Sequence, residues 1–198
     1  LLLDAGRQDD ARAALVRVDE LLERMAALTG HLKTFARKTP GGLRERIELG
    51  HVIEQALQLL AVRTRAEGVE IRQELDLPAW VLGDAIRLEQ VLVNLIRNAL
   101  DAVATTAQPE IRLTLKRDGE HWCLDVADNG PGIDEAHLAS VFDPFFTTKP
   151  VGEGLGLGLA VSYGIVHELG GRLDAANQPT GGAVFRLSLP AASEDSRP

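Results

Sequence analysis

The chain has 198 residues, 45% apolar and 25% charged, enough for one domain with an appendage or for two small domains. Its single cysteine, Cys123, excludes an internal disulfide framework and a multi-cysteine metal site, and no run approaches the roughly 18 apolar residues of a membrane span. Residues 1–46 hold nine Lys/Arg against seven Asp/Glu, whereas residues 47–198 hold twelve against 22; so acidic a domain excludes bulk nucleic-acid binding and leaves phosphate ligands to backbone N–H groups, a metal and a few placed cations.

Residues 9–38 read as one long helix. Leu15, Val18, Leu22, Met25, Leu32 and Phe35 keep helical spacing, with Arg17, Asp19, Glu20, Glu23 and Arg24 between them. Thr39-Pro40-Gly41-Gly42 then breaks the chain. The expected organisation is a helical segment 1–38, a linker 39–46, a domain 47–190 and a tail 191–198. Neither a Met nor a signal-peptide pattern marks Leu1, so a fragment is expected, with upstream membrane segments left open.

Past the linker, 44–49 reads as a short strand and 51–65 as a helix. Val69–Leu75 alternates like a strand, and Trp80-Val81-Leu82 is a shorter one. Gly83-Asp84 opens a strongly apolar helix running to about Ala104, with Asp84 as N-cap. Ile111, Leu113 and Leu115 alternate with polar residues, as do Trp122, Leu124 and Val126, and Asp118-Gly119 between them signals a hairpin. Residues 129–155 form a Gly- and Pro-rich loop with one helical turn at 135–141. A helix over 157–169 and strands over 172–176 and 183–189 follow. The pattern is α+β: a mixed, mostly antiparallel sheet with about three helices on one face. Loops beyond about 12–15 residues are usually functional, so 129–155 is the first place to seek a ligand.

Three signals carry chemistry. Asn94 and Asn98 share one face of an otherwise apolar helix, and Asp101 extends that face by a turn. Two amides there read either as satisfied buried groups or as oxygen ligands for Mg2+, which prefers O donors and retains waters and phosphate oxygens. Asp128-Asn129-Gly130-Pro131-Gly132-Ile133 follows a strand. Its carboxylate can accept from an exocyclic amine, and its glycines let backbone approach a flat ring; the plainer reading is a turn. Gly152-Glu153-Gly154-Leu155-Gly156-Leu157-Gly158-Leu159 opens the last long helix, an anion site in the making, yet it matches neither a P-loop nor a dinucleotide fingerprint. Just before it, Phe142-Asp143-Pro144-Phe145-Phe146-Thr147-Thr148-Lys149 gathers three of five Phe residues, readable as a hydrophobic cluster anchoring a lid, with Lys149 as a cation for phosphates.

In this order and spacing, with Gly181-Gly182 before a closing strand, residues 47–190 resemble the ATP-binding domain of sensor histidine kinases. That domain is the Bergerat fold, a two-layer α/β sandwich shared with type II topoisomerases, mismatch-repair ATPases and a heat-shock chaperone. Residues 1–38 resemble the second helix of the kinases' dimerisation hairpin. Glu23-Arg24-Met25 through His31-Leu32-Lys33-Thr34-Phe35-Ala36-Arg37-Lys38 are similar to the C4-dicarboxylate transport sensors.

The resemblance implies ATP and Mg2+ as ligands. It implies Asn98 on the metal, Asp128 on the adenine amine, and Gly130, Gly132 and Ile133 around the ring. Phe142, Thr148, Lys149 and the backbone of Gly154, Leu155, Gly156, Leu157 and Gly158 would serve the phosphates and lid. Asn94 corresponds to the Glu that activates water in the ATPase branches. An amide is no general base, so phosphoryl transfer is favoured over hydrolysis. Asp101 stands where many family members carry a basic or aromatic residue, which leaves its role open.

The family's acceptor His, followed by an acidic residue and a Pro, has no match here. His31 lies near the linker, and His51, His121, His137 and His167 are isolated. The resemblance therefore implies an acceptor upstream of Leu1, a homodimer through the hairpin, a response regulator receiver domain as partner and no nucleic acid. It also implies a cytoplasmic domain of a bacterial inner-membrane protein, membrane-bound only through upstream segments. The alternatives are an ATPase or serine kinase of the same fold, or an inactive nucleotide-binding module.

Overall fold

The computed structural model describes residues 45–149 and 155–192. The 1–38 helix, nearly all of the linker, Gly154 and most of the tail lie outside the described residues. Elements run β1 (Glu45–Glu48), α1 (Leu49–Ala66), β2 (Glu70–Leu75), β3 (Trp80–Gly83), α2 (Ala85–Val103), β4 (Glu110–Asp118), β5 (His121–Asp128), α3 (Glu135–Leu138), α4 (Gly158–Glu168), β6 (Arg172–Asn177) and β7 (Ala183–Pro190).

β2, β4, β5, β7 and β6 form a five-stranded sheet in that order, parallel only at β2–β4. Strand period sets its two faces. Ile111, Leu113 and Leu115 of β4, Trp122, Leu124 and Val126 of β5, and Phe185, Leu187 and Leu189 of β7 are buried. Their alternates carry polar groups such as Asp125 and Arg186, which pair across strands at 2.6 and 2.7 Å. Helices α1, α2 and α4 supply the second layer. The β4–β5 hairpin closes through Gly119 at φ +57°, a conformation that favours glycine.

The sheet is not single, as the sequence pattern had suggested. β1 and β3 pair with each other as a separate antiparallel ribbon, bridged from Val81 to Ala191 just past β7. Both strands have four residues, and β3 runs straight into α2, which leaves no length for a wider ladder.

Capping explains where the two long helices begin. The Glu48 side chain accepts from His51 N at 2.8 Å, and its other oxygen accepts from Ala79 N at 3.1 Å, so one carboxylate caps α1 and fastens it to the lead-in of β3. Asp84 accepts from Ile86 N and Arg87 N at 3.0 and 3.2 Å and satisfies first-turn donors of α2. α2 buries Leu88, Val91, Leu92, Leu95, Ile96, Ala99, Leu100 and Val103. It lies between α1 and α4 over β4 and β5.

Candidate functional site

The polar edge of α2 meets Gly158 of the glycine run, Lys149 and Gly130 of the Asp128 turn. At its middle, Asn94 is buried. Its Nδ2 donates to Ser162 Oγ of α4 at 3.0 Å, and its Oδ1 accepts from Arg97 at 3.3 Å. Gly158 packs against the same amide so closely that a Cβ there would fall on Asn94 Oδ1. Asn94 thus ties α2 to the first turn of α4. One turn on, Asn98 is half-buried, and its amide has no hydrogen-bond partner among the described residues.

A further turn on, Asp101 holds two cations. Its Oδ1 accepts from Arg63 of α1 at 2.6 Å, and its Oδ2 accepts from Lys149 Nζ. Burial pushes the Asp101 carboxyl up, but the bonds to Lys149 and Arg63 outweigh it and hold the group below its ordinary 3.8. At the end of α2, a Cβ on Gly130 would lie 2.7 Å from Ala102 O; only a glycine lets the Asp128–Ile133 turn settle against the helix.

That turn is fixed from several directions. Asp128, at the end of β5, is 3% exposed. Its Oδ1 accepts from Gly130 N at 2.9 Å and Ala183 N at 3.3 Å. Oδ2 has no hydrogen-bond partner among the described residues. Burial raises the Asp128 carboxyl above its ordinary 3.8, against the lowering effect of those two backbone bonds. Gly182 (φ +85°) lies on the backbone of Asp128, where a Cβ would collide with the carbonyl. Gly132 (φ +82°) sits against Asn177, whose side chain accepts from Ile133 N at 2.7 Å and donates to Ile133 O at 2.6 Å. Asn129 accepts from Glu110 N at 2.9 Å and donates to Gln108 O at 2.7 Å.

The three phenylalanines do not form one cluster. Phe142 packs inward, 5.3 Å from the Tyr163 ring and 6.4 Å from Phe185. Phe146 stands edge-on to His137 at 5.3 Å. Phe145 is 63% exposed and adopts φ +68°, a strained conformation for a bulky side chain. Its N–H donates to Gly156 O at 2.9 Å. Gly156, at φ +64°, lies where a Cβ would strike the backbone of Phe145 and Phe146. The loop needs the backbone approach more than a packed Phe145 ring. The N-cap of α4 is Leu157, with no side-chain hydrogen bond, so no side chain competes for its first-turn N–H groups. Thr148 is exposed and Leu155 half-buried.

The family model for histidine kinase-, DNA gyrase B-, and HSP90-like ATPases matches residues 83–193. The chain belongs to this family. The C4-dicarboxylate transport sensor protein DctB of Pseudomonas aeruginosa is 44% identical over 193 residues, which is 96% of this chain and 31% of DctB. The catalytic domain of histidine kinase ThkA shares the fold at TM-score 0.66 and 30% identity, over 74% of this chain and 96% of that domain. ThkA in complex with response regulator protein TrrA is similar at TM-score 0.68 and 26% identity, over 88% of this chain and 50% of the ThkA chain. The chain spans about a third of the length of the curated relatives it matches.

As an ATP-binding domain of this family, the chain presents residues that fit the ligand. Asp128, 3% exposed as a residue, offers a carboxylate oxygen without a hydrogen-bond partner among the described residues, beside glycines where a Cβ would collide. Asn98 offers an amide without a hydrogen-bond partner among the described residues, one turn from the Asp101 that holds Lys149. Among the described residues no cluster of three His, Cys, Asp or Glu could hold a metal by itself, and no helix is long and apolar enough to cross a membrane. Sequence reasoning missed Arg63, Ser162, Asn177 and Gln178, whose Nε2 donates to Asp128 O at 2.7 Å. Only the polar character of Asn177-Gln178 before Gly181-Gly182 could have flagged any of them.

Proposed function

We propose that this chain is the ATP-binding kinase region of a two-component sensor histidine kinase. It transfers the ATP γ-phosphoryl group to a histidine on a dimerisation helix, for relay to a response regulator. The supporting observation is convergence: α4 at Asn94, Lys149 at Asp101 and the Asp128 turn at Ala102 all meet one edge of α2.

In this reading Asp128 Oδ2 accepts from the adenine amine, and Gly130, Gly132 and Ile133 line the ring. Asn98 lends its amide oxygen to Mg2+, which when bound neutralises phosphate charge. Lys149, Thr148 and the backbone from Gly154 through Leu155, Gly156, Leu157 and Gly158 hold the phosphates. Phe142 anchors one limb of the lid. Asn94, an amide already bonded to Ser162 and Arg97, has no proton-accepting carboxylate to offer water, which favours transfer over hydrolysis. The likeness to DctB favours a C4-dicarboxylate transport sensor, and in this reading the domain lies in the cytoplasm of a cell whose inner membrane holds the full-length protein. The likeness to ThkA with TrrA favours a response regulator partner, and in this reading the protein is a homodimer through the helical hairpin.

The test is transfer in trans. The chain is incubated with radiolabelled ATP, Mg2+ and a histidine-bearing dimerisation hairpin from a relative. Acid-labile label on the hairpin with little free phosphate is expected. Rapid phosphate release without label would instead make the domain an ATPase. Acid-stable label would make it a serine kinase, and acid-labile label on the chain alone would assign the acceptor to His31.

A further inference from the structure

Asp101 lies outside the set of ligand-binding residues, yet it is the most heavily bonded carboxylate on the site's edge of α2. Its two oxygens are divided between two cations from different parts of the chain. Oδ1 accepts from Arg63 of α1 at 2.6 Å, and Oδ2 accepts from Lys149 at the start of the lid. Arg63 is itself bonded to Glu67 at 2.7 Å. Asp101 follows Asn98 by one turn on the same helix edge, so Lys149 is tied to the turn of α2 that follows Asn98. The side chains of Lys149 and Asp101 are 36% and 26% exposed. Their bond is therefore weakened by solvent, unlike one sealed in the core.

Resting on the reading of Lys149 as the cation for the nucleotide phosphates, we propose that Asp101 is a positioning residue whose bond to Lys149 is exchangeable. Asp101 holds the ammonium at the phosphate site until phosphate oxygens take it over, and Arg63 keeps Asp101 paired afterwards. A carboxylate with one cation would be left partly buried and unpaired when that cation left, a costly state. A carboxylate with two gives one up cheaply. A triphosphate carries more charge than a diphosphate and draws Lys149 away more strongly, so the cost of breaking the Asp101 bond falls on ATP more than on ADP.

The test is a double-mutant cycle in the 198-residue chain, with ATP and ADP titrated by calorimetry into wild type, Asp101→Asn, Lys149→Met and the double variant. Removing the competitor for Lys149 should tighten ATP about two- to fivefold, and ADP less. In the Lys149→Met background the same substitution should leave ATP affinity unchanged. Arg63→Gln should act in the opposite direction and weaken ATP, because Asp101 would then hold Lys149 as its sole cation; this arm stands if Asp101→Asn fails to fold. An equal gain in both Lys149 backgrounds would mean plain repulsion between Asp101 and phosphate and would overturn the exchange. So would a loss of ATP affinity in Asp101→Asn. A wild-type chain that binds no ATP would overturn the functional reading itself, whereas wild-type binding without Lys149-dependent coupling would overturn the exchange alone.

Discussion

Asp128, whose turn meets α2 at Ala102, and Asp101 on α2 itself are two carboxylates whose surroundings differ in kind. Asp128 is enclosed by backbone: Gly130 N and Ala183 N on Oδ1, and Gly182 against its carbonyl. Burial without a cation raises its carboxyl. Asp101 is enclosed by charged side chains, and the bonds to Lys149 and Arg63 lower its carboxyl despite burial. In the proposed reading, the adenine end would recognise by fixed shape, with glycines where a Cβ would collide, and the phosphate end would recognise by charge, with cations shared between Asp101 and the ligand. A pocket for a flat, unvarying ring needs the first, and a chain of phosphates that is bound, shortened and released needs the second.

The fixed end should break most sharply. Gly182→Ala forces a Cβ onto the Asp128 carbonyl at a backbone conformation that disfavours side chains. The expected cost is about 2–5 kcal/mol of stability, read by denaturant unfolding. A cost within 0.5 kcal/mol would show that the turn can relax. Asn94→Ala, at the joint of α2 and α4, leaves the buried Ser162 hydroxyl without its partner and should cost about 1–3 kcal/mol.

A smaller effect sharpens the contrast between the two carboxylates. The raised Asp128 carboxyl means the folded state binds its proton more tightly than the unfolded chain. Its stability contribution is therefore lost as pH rises from about 3.8 through the folded value. The lowered Asp101 carboxyl has the opposite sign: its contribution is present above 3.8 and lost as pH falls below it. Unfolding of Asp128→Asn and Asp101→Asn alongside wild type, from pH 3 to 7, should give difference curves of opposite slope. Parallel curves would erase the distinction.

Much of this fold is legible locally. The alternation of Ile111, Leu113 and Leu115, the Asp84 cap and the Asp118-Gly119 hairpin are each written within a few residues. The Asp128 turn and the glycines before α4 are legible as motifs for the same reason. The bonds that give the site its electrostatics are not. Arg63 and Asp101 are 38 residues apart, Asp101 and Lys149 48, and Asn94 and Ser162 68. Nothing near Asp101 announces a lysine two strands later, so its place in the site stays open until the chain is folded. Phe145 misleads for the converse reason: an apolar residue suggests packing, yet the approach of Gly156 to the loop backbone turns its ring outward. The separation of β1 and β3 from the main sheet also depends on tertiary pairing, since short strands look alike wherever they pair.

The most direct measurement is a calorimetric titration of adenosine, ADP and ATP·Mg2+ into wild type, Asp128→Asn and Lys149→Met. Losing the hydrogen bond to a charged acceptor is worth roughly 1.5–3 kcal/mol, or about 10–150-fold in affinity. Asp128→Asn should therefore weaken all three ligands by a similar factor in that range. Lys149→Met should leave adenosine unchanged and weaken ATP more than ADP. If Asp128→Asn spares adenosine, or Lys149→Met weakens all three ligands alike, the division of the site into an adenine end and a phosphate end is wrong.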